Sequence, residues 1–174
     1  ANALHKPNLL SFDMGGTTAK IALVQDGAPT RTNELEVARV RRFQKGSGLL
    51  LKAPAIDLIE IGAGGGSIAR VDALGLLAVG PHSAGAVPGP VCYGRGGTEP
   101  TVTDADLALG YLDAEHFLGG NMRLDRERAL AAIEQFVGRP LGLDAIAAAR
   151  SIFVVVNDSM ANAAAVYAAE QGID

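Results

Sequence analysis

The sequence predicts an α/β protein, with strands and Gly-rich loops mainly in residues 1–100 and helices mainly in residues 103–172. Three observations support this prediction. Short apolar runs separated by turn signals fill the first third of the chain. Eleven of the 22 glycines form one block between Gly62 and Gly97. The last third repeats its apolar residues at the 3.6-residue period of helices. The length of 174 residues suits a single domain over residues 1–174.

The composition excludes several classes of protein. With 48% hydrophobic and 20% charged residues, the chain is too apolar to be disordered. A single cysteine, Cys92, excludes a disulfide framework and a multi-cysteine zinc site. The net charge of −4 and the scattered basic residues argue against a nucleic-acid partner. The tightest basic cluster is interpreted as a solvated strand or loop face; it comprises Arg39, Arg41, Arg42 and Lys45.

The sequence also predicts where the protein works. No apolar run approaches the ~18 residues that a membrane span needs, and the first residues lack the apolar region of a signal peptide. We therefore predict a cytoplasmic protein with no membrane partner. Because the chain begins without Met and ends without a polar tail, we expect it to be a piece of a longer protein.

The first sixty residues predict strands joined by tight turns. Residues 8–24 predict two strands around Gly15 and Gly16, and Asp26-Gly27 is a second hairpin signal. A third strand is predicted through Leu35, Val37 and Val40, where apolar residues have a period of two, and residues 46–48 predict a flexible loop. A further strand is predicted over residues 56–61, directly before the glycine block.

Short strands are predicted after the first glycines of the block, at residues 67–71 and 76–79, and residues 81–100 predict an ordered, irregular loop. Three helices follow. Thr103-Asp104 is expected to cap the first, and Asp125 the second, which Gly138 ends. Asp144 is expected to cap a third helix that runs towards Gln171. Its β-branched stretch at residues 152–156 is assigned to the helix because the surrounding sequence is rich in alanine.

The first candidate site is the segment Asp13-Met14-Gly15-Gly16-Thr17-Thr18. A strand delivers a carboxylate to a turn whose two glycines allow backbone N–H groups to approach a ligand closely. Two hydroxyls follow. Phosphate needs such donors, and Asp13 is placed to hold a hydrated Mg²⁺ beside it. The alternative is a β-hairpin with a glycine turn and no ligand. The segment is not a P-loop, since it lacks the lysine and a strand follows it.

The second candidate is the glycine run at residues 62–66, in which Gly64, Gly65 and Gly66 are consecutive. With Ala69 it matches G-x-G-x-x-A, but a hairpin rather than a helix follows, and no acidic residue lies about 20 positions on. A dinucleotide site is therefore rejected. The glycines still imply that something approaches the backbone closely, and this is either a ligand or another strand.

Two weaker candidates remain. His82, Cys92 and Arg95 lie in the irregular loop, where a thiol nucleophile is less expected than a small buried side chain. Metal binding by His5, His82 and His116 has no supporting spacing. Asp104 either caps a helix or faces the site from the helix start, and both alternatives stay open.

In their order and spacing, these four motifs resemble the hydantoinase A/5-oxoprolinase family, over nearly the whole chain. The stretches that carry the resemblance are residues 12–18, 61–69, 79–97 and 100–105. The resemblance implies part of an ATPase lobe of the actin/Hsp70/sugar-kinase (ribonuclease H-like) kind. It also implies ATP-dependent ring opening of hydantoin, N-methylhydantoin or 5-oxoproline by hydrolysis. Phosphorylation of the amide oxygen would make the ring carbon attackable by water.

The resemblance implies ATP and Mg²⁺ or another divalent cation as cofactors. It implies phosphate contacts from Gly15, Gly16, Thr17 and Thr18, a nucleotide contact at the glycines of residues 64–66, and catalytic roles for Asp13, also the metal ligand, and Asp104. A cyclic amide substrate and a second subunit or domain of the hydantoinase B type are the expected partners. The alternatives are an ATP-using subunit of an acetone or acetophenone carboxylase and a non-catalytic nucleotide-binding or assembly domain.

Two departures from the family pattern qualify these expectations. Many relatives have Ser-Thr-Asp where this chain has Thr18-Ala19-Lys20, so a second metal contact is missing and Lys20 either offsets phosphate charge or points into solvent. Family members are several times longer, so we expect the first lobe and the adenosine site to lie outside this sequence. We therefore expect the 174-residue chain alone to lack ATPase activity.

Overall fold

The computed structural model describes residues 4–37 and 48–173, which form strands first and helices afterwards. The strands are β1 (Leu9–Met14), β2 (Ala19–Gln25), β3 (Ala28–Pro29), β4 (Arg31–Val37), β5 (Leu49–Ile56), β6 (Leu58–Ile61), β7 (Ser67–Val71) and β8 (Leu77–Ser83). The helices are α1 (Val102–Ala108), α2 (Arg126–Ile133), α3 (Arg139–Leu141) and α4 (Ala145–Glu170). The predicted α/β class, with strands before helices, is confirmed.

The chain divides into two compact units, the first of residues 1–13 and 20–60 and the second of residues 14–19 and 61–174. The single-domain assignment stays a prediction. In the main sheet, β2 pairs with β1, β3 and β6. Strand β2 buries Ala19, Ile21 and Leu23, which alternate as one face of a strand must. Asp26 and Gly27 join β2 to β3 with φ of 50° and 81°, the left-handed pair of a tight hairpin turn.

The first unit also contains a two-stranded antiparallel ribbon of β4 and β5. Strand β4 confirms the predicted strand at Leu35 and Val37, while Val40 lies outside the described residues. So do the four basic residues of the cluster named above and residues 46 and 47. The strand predicted over residues 56–61 is wrong in extent. Ile56 ends β5, Asp57 follows, and β6 begins at Leu58; β5 itself was not predicted, because it carries apolar side chains on both faces.

In the second unit, helix α4 packs against β8 and helix α1 contacts β7. Its buried residues include large apolar side chains from each of the longer helices: Val102, Leu107, Ile133, Val137, Ile152 and Val156. The β7–β8 pair confirms the predicted strands at residues 67–71 and 76–79 and extends the second to Ser83. Tyr93 and Phe117 pack against a smaller cluster around Cys92 and Leu107.

The helix N-termini agree with the sequence in two cases and differ in one. The end predicted for the second helix at Gly138 is wrong, because α2 ends at Ile133. Asp125 and Asp144 cap α2 and α4 by accepting backbone N–H bonds from Arg128 and Ala147, as predicted. The cap predicted for α1 is wrong by two residues, because Thr101 is the N-cap and Asp104 is the third helical residue. After α2 the chain widens into one π-helical stretch, Glu134–Gly138, before α3.

Helix α4 includes the β-branched stretch at residues 152–156, as predicted. Six of its side chains are buried in the second unit: Ala148, Ala149, Ile152, Val156, Met160 and Tyr167. Among the described residues, α4 is the one helix with the length and composition to cross a membrane, a test that core helices also pass. Its outward face is apolar as well, since Ile146, Val154 and Val166 are exposed.

Candidate functional site

Residues 15–18 of the first candidate motif form a tight turn in the second unit. The Gly15 N–H donates to the Thr18 carbonyl at 2.9 Å, which closes the four-residue turn. Gly15, Gly16 and Thr17 are exposed. A Cβ on Gly16 would meet nothing within 4 Å, so one side of the turn faces open space. We call residues 15–18 the phosphate turn, after the function that the sequence predicts for it.

The glycine run of residues 64–66 packs directly on the phosphate turn. Gly65 N–H donates to the Gly15 carbonyl at 3.0 Å, and Gly66 N–H donates to the Gly16 carbonyl at 2.6 Å. A Cβ on Gly64 would lie 2.7 Å from the Gly15 oxygen and from the Thr17 nitrogen, which no side chain tolerates. The structure therefore brings together two motifs that are far apart in sequence, and glycine permits their contact.

This pairing fixes the direction of two further amides. In a trans peptide the C=O and N–H groups point in opposite directions, and the peptides of the phosphate turn are trans. Because the Gly15 and Gly16 carbonyls face residues 65 and 66, the Gly16 and Thr17 N–H groups face away from them. Neither N–H has a hydrogen-bond partner among the described residues. Two adjacent N–H groups that face the same way are donors suited to an anion.

The amides of the glycine run, in contrast, are already engaged. Gly64 N–H donates to Ser67 Oγ at 2.9 Å, and the Gly65 and Gly66 N–H groups pair with the phosphate turn. Of the two alternatives for this run, the structure displays close approach of another chain segment. A direct nucleotide contact at Gly64, Gly65 and Gly66 stays a prediction, and it would not use these N–H groups.

Helix α1 supports the glycine run from its buried side. Thr103 donates to the Gly65 carbonyl twice, from its backbone N–H and from Oγ1, each at 2.8 Å. Ala84 N–H donates to the Gly66 carbonyl at 2.8 Å. Sequence reasoning missed Thr103 as a support, because a bond to a residue 38 positions away leaves no local signal.

Asp104 is completely buried and serves as a hub for the irregular loop. Its carboxylate accepts N–H bonds from Val91 (3.2 Å), Cys92 (2.7 Å) and Thr101 (2.8 Å), together with the Thr101 hydroxyl at 2.8 Å. Together with Thr101 it forms a capping box at the start of α1. The capping alternative is thus the one seen, and a catalytic role for Asp104 stays a prediction.

Two other titratable groups near α1 are shifted by burial. Burial, with the nearby Asp104 charge as a second cause, raises the pKa of the Cys92 thiol far above its usual range. A thiol so hard to ionise is unsuited to be a nucleophile. Burial alone raises the pKa of the Asp106 carboxyl to about 6. Asp106 was not among the site residues predicted from sequence, since its burial depends on the packing of α1. His82 is exposed on β8.

The acidic and basic residues nearest the phosphate turn in sequence belong to the first unit. Asp13 is exposed in β1, two positions before Gly15. Lys20 Nζ lies 3.2 Å from Glu60 Oε1, so the Lys20 charge is balanced by a carboxylate within the sheet. The described residues contain no group of three or more candidate metal ligands. A single exposed carboxylate still fits Mg²⁺, which uses one or two carboxylates, waters and substrate phosphates.

Comparisons with known proteins agree on one family. The sequence model for Hydantoinase/oxoprolinase matches residues 1–174. The chain is 47% identical over 167 residues to the caprolactamase subunit alpha of Pseudomonas jessenii, covering 96% of this chain and 23% of that one. It is 42% identical over 164 residues to the acetophenone carboxylase gamma subunit of Aromatoleum aromaticum, covering 94% of this chain and 21% of that one.

A solved structure gives the same result for the fold. A nucleotide-free acetone carboxylase, from work on ATP-dependent acetone carboxylation, superposes with a TM-score of 0.85 at 30% identity. The match covers 99% of this chain and 23% of the other. The chain therefore spans about a quarter of the length of these three relatives.

Proposed function

Because the chain belongs to the hydantoinase/oxoprolinase family, we propose that its phosphate turn binds the phosphates of ATP in an enzyme that opens a cyclic amide by hydrolysis. The family resemblance carried by the motifs is confirmed by the family match. The observation that carries the proposal is the pair of outward N–H groups at Gly16 and Thr17, which have no partner in the part of the chain that the structure describes.

The proposed chemistry uses these residues for positioning and charge stabilisation. In phosphoryl transfer the protein itself does little covalent chemistry. It acts mainly through hydrogen-bond donors that position the phosphate and stabilise its charge. The Gly16 and Thr17 N–H groups would donate to phosphate oxygens, and the Thr17 hydroxyl is exposed beside them. A divalent cation would neutralise phosphate charge, and Asp13, which is next to the turn in sequence, is the residue that would hold it. Asp104 would hold the irregular loop in place, and its catalytic role is part of the proposal.

The cyclic-amide assignment is supported by the caprolactamase relative, whose name denotes action on a lactam. The second candidate is an ATP-using carboxylase subunit that activates a ketone, and the high TM-score with acetone carboxylase favours it. A non-catalytic nucleotide-binding or assembly domain is the third. We also propose a second subunit of the hydantoinase B type as partner, because the relatives are named as subunits. A cytoplasmic location completes the proposal.

The experiment that tests the proposal is calorimetric titration of the full-length protein with Mg-ATP and Mg-ADP. Binding by the wild type and at least tenfold weaker binding by Gly16→Ala are expected, since the added methyl group would occupy the open side of the turn. No binding at millimolar nucleotide would instead favour the assembly domain. Product analysis with caprolactam, 5-oxoproline, hydantoin and acetone then separates ring opening from carboxylation. We also propose that the 174-residue chain alone lacks ATPase activity.

A further inference from the structure

Thr103 has a buried hydroxyl whose hydrogen bond the start of helix α1 does not require. The N-cap bonds of α1 are made by Thr101, with Asp104 completing the capping box. Thr103 is 7% exposed, and its hydroxyl and N–H both donate to the Gly65 carbonyl. A Cβ on Gly65 would lie 2.8 Å from Thr103 Oγ1, so glycine at position 65 is what admits this contact.

The Gly65 carbonyl is the first link of a chain of hydrogen-bonded peptides. The same peptide unit carries the Gly66 N–H, which donates to the Gly16 carbonyl at 2.6 Å. The Gly16 carbonyl in turn shares its peptide unit with the outward Thr17 N–H. The bonds thus run from Thr103 through two peptide groups to the Thr17 N–H, which has no acceptor within residues 4–37 and 48–173. Each bond in such a chain polarises the next, by about 10–30%.

We propose that Thr103 is a positioning residue for anion binding, which orients and polarises the Thr17 N–H without touching the ligand. This inference rests on the proposed function, because it presumes that the phosphate turn binds a nucleotide. Two donors on one carbonyl fix the plane of the Gly65–Gly66 peptide more tightly than one. The plane of the Gly16–Thr17 peptide, and with it the direction of the outward N–H, follows from that.

The test measures Mg-ATP affinity of the full-length protein by calorimetry in the wild type, Thr103→Val and Thr103→Ser. Thr103→Val removes the hydroxyl bond, and roughly three- to tenfold weaker binding is expected, because a misdirected Thr17 N–H loses about one net hydrogen bond to the ligand. Thr103→Ser keeps the hydroxyl and should bind within about twofold of the wild type. Ser151→Ala is the matched control, because Ser151 Oγ also donates to a carbonyl, that of Ala147 at 3.0 Å, but far from the turn in sequence. Its affinity should equal that of the wild type.

The outcomes separate this inference from the proposed function. If the wild type fails to bind Mg-ATP, the proposed function is overturned and the inference with it. If the wild type binds and Thr103→Val binds equally well, the inference alone is overturned. Equal losses in Thr103→Ser and Thr103→Val would also overturn it, since packing and not the hydroxyl would then be responsible. Should Thr103→Val not fold, Thr103→Ala takes its place, because it introduces no atom that must be accommodated.

Discussion

Glycine has a different role at position 16 than at position 64, and a pair of alanine variants separates the two roles. A Cβ on Gly64 would lie 2.7 Å from backbone atoms of Gly15 and Thr17, which have no flexible end to move aside. A Cβ on Gly16 would meet nothing within 4 Å. Gly64→Ala should therefore damage the fold, whereas Gly16→Ala should damage ligand binding and leave the fold intact.

The size of the Gly64→Ala effect follows from two contributions. Overpacking a close contact costs about 1–3 kcal/mol. The shift that relieves it stretches the Gly65–Gly15 and Gly66–Gly16 hydrogen bonds, each worth about 1 kcal/mol net. We expect a loss of roughly 3 kcal/mol in the free energy of unfolding. For a chain of this size that lowers Tm by about 6–12 °C. Gly16→Ala should change Tm by about 2 °C or less.

Thermal unfolding of the 174-residue chain, followed by circular dichroism, measures Tm. Titration of Mg-ATP into the full-length protein measures binding. The expected result is a crossed pattern, with Gly16→Ala stable but at least tenfold weaker in binding and Gly64→Ala unstable. A Gly64→Ala variant that melts within about 2 °C of the wild type would refute the close contact between the two motifs. A Gly16→Ala variant with wild-type affinity would refute the phosphate role of the outward amides.

Three further predictions concern the residues around α1. Asp104→Ala should lower the free energy of unfolding by about 3 kcal/mol or more, because it leaves the buried N–H groups of Val91, Cys92 and Thr101 without their acceptor. Urea unfolding measures this loss, and a loss below about 1 kcal/mol would contradict the role of Asp104 in holding the loop. Asp106 has its pKa raised from 3.8 to about 6 by burial, so the folded state keeps a proton that the unfolded chain releases, and stability falls as pH rises between about 4 and about 6. Asp106→Asn should remove that fall and gain roughly 1–2 kcal/mol at pH 7 with no gain near pH 3.5; equal pH profiles of the two proteins would be the contrary result. Burial and the raised pKa of Cys92 predict that iodoacetamide labels the thiol only after unfolding, and mass spectrometry of the native chain would show the opposite if the thiol were accessible.

The local features of the fold were predictable from sequence because local chemistry determines them. Asp26-Gly27 forms its turn because both positions need positive φ, and Asp125 and Asp144 cap helices with their own carboxylates. The α1 cap was misplaced because Thr101 and Thr103 offer the same hydroxyl two positions apart. Only the long-range bonds decide which one caps the helix and which one reaches Gly65.

The motifs of the candidate site were predictable from sequence, but the hydrogen-bonding groups that each motif contributes to their contact were not. The sequence indicated that the glycines at positions 15, 16 and 64–66 meet something closely. It did not indicate that one group supplies carbonyls and the other supplies N–H groups, because pairing across a large sequence separation leaves no local pattern. The split of residues 49–61 into two strands was missed for a related reason, since β5 pairs with β4 and exposes apolar side chains on both faces.

The bonds between the phosphate turn and the glycine run also bear on the order in which the chain folds. They join segments about fifty residues apart, and the loop between them contains residues 20–60, nearly all of the first unit. Closing so long a loop has an entropic free-energy cost, which two hydrogen bonds offset only in part. Pairing of β2 with β6 shortens the effective loop by bringing its two ends together. The anion-binding geometry should therefore be completed late in folding, after the main sheet has formed.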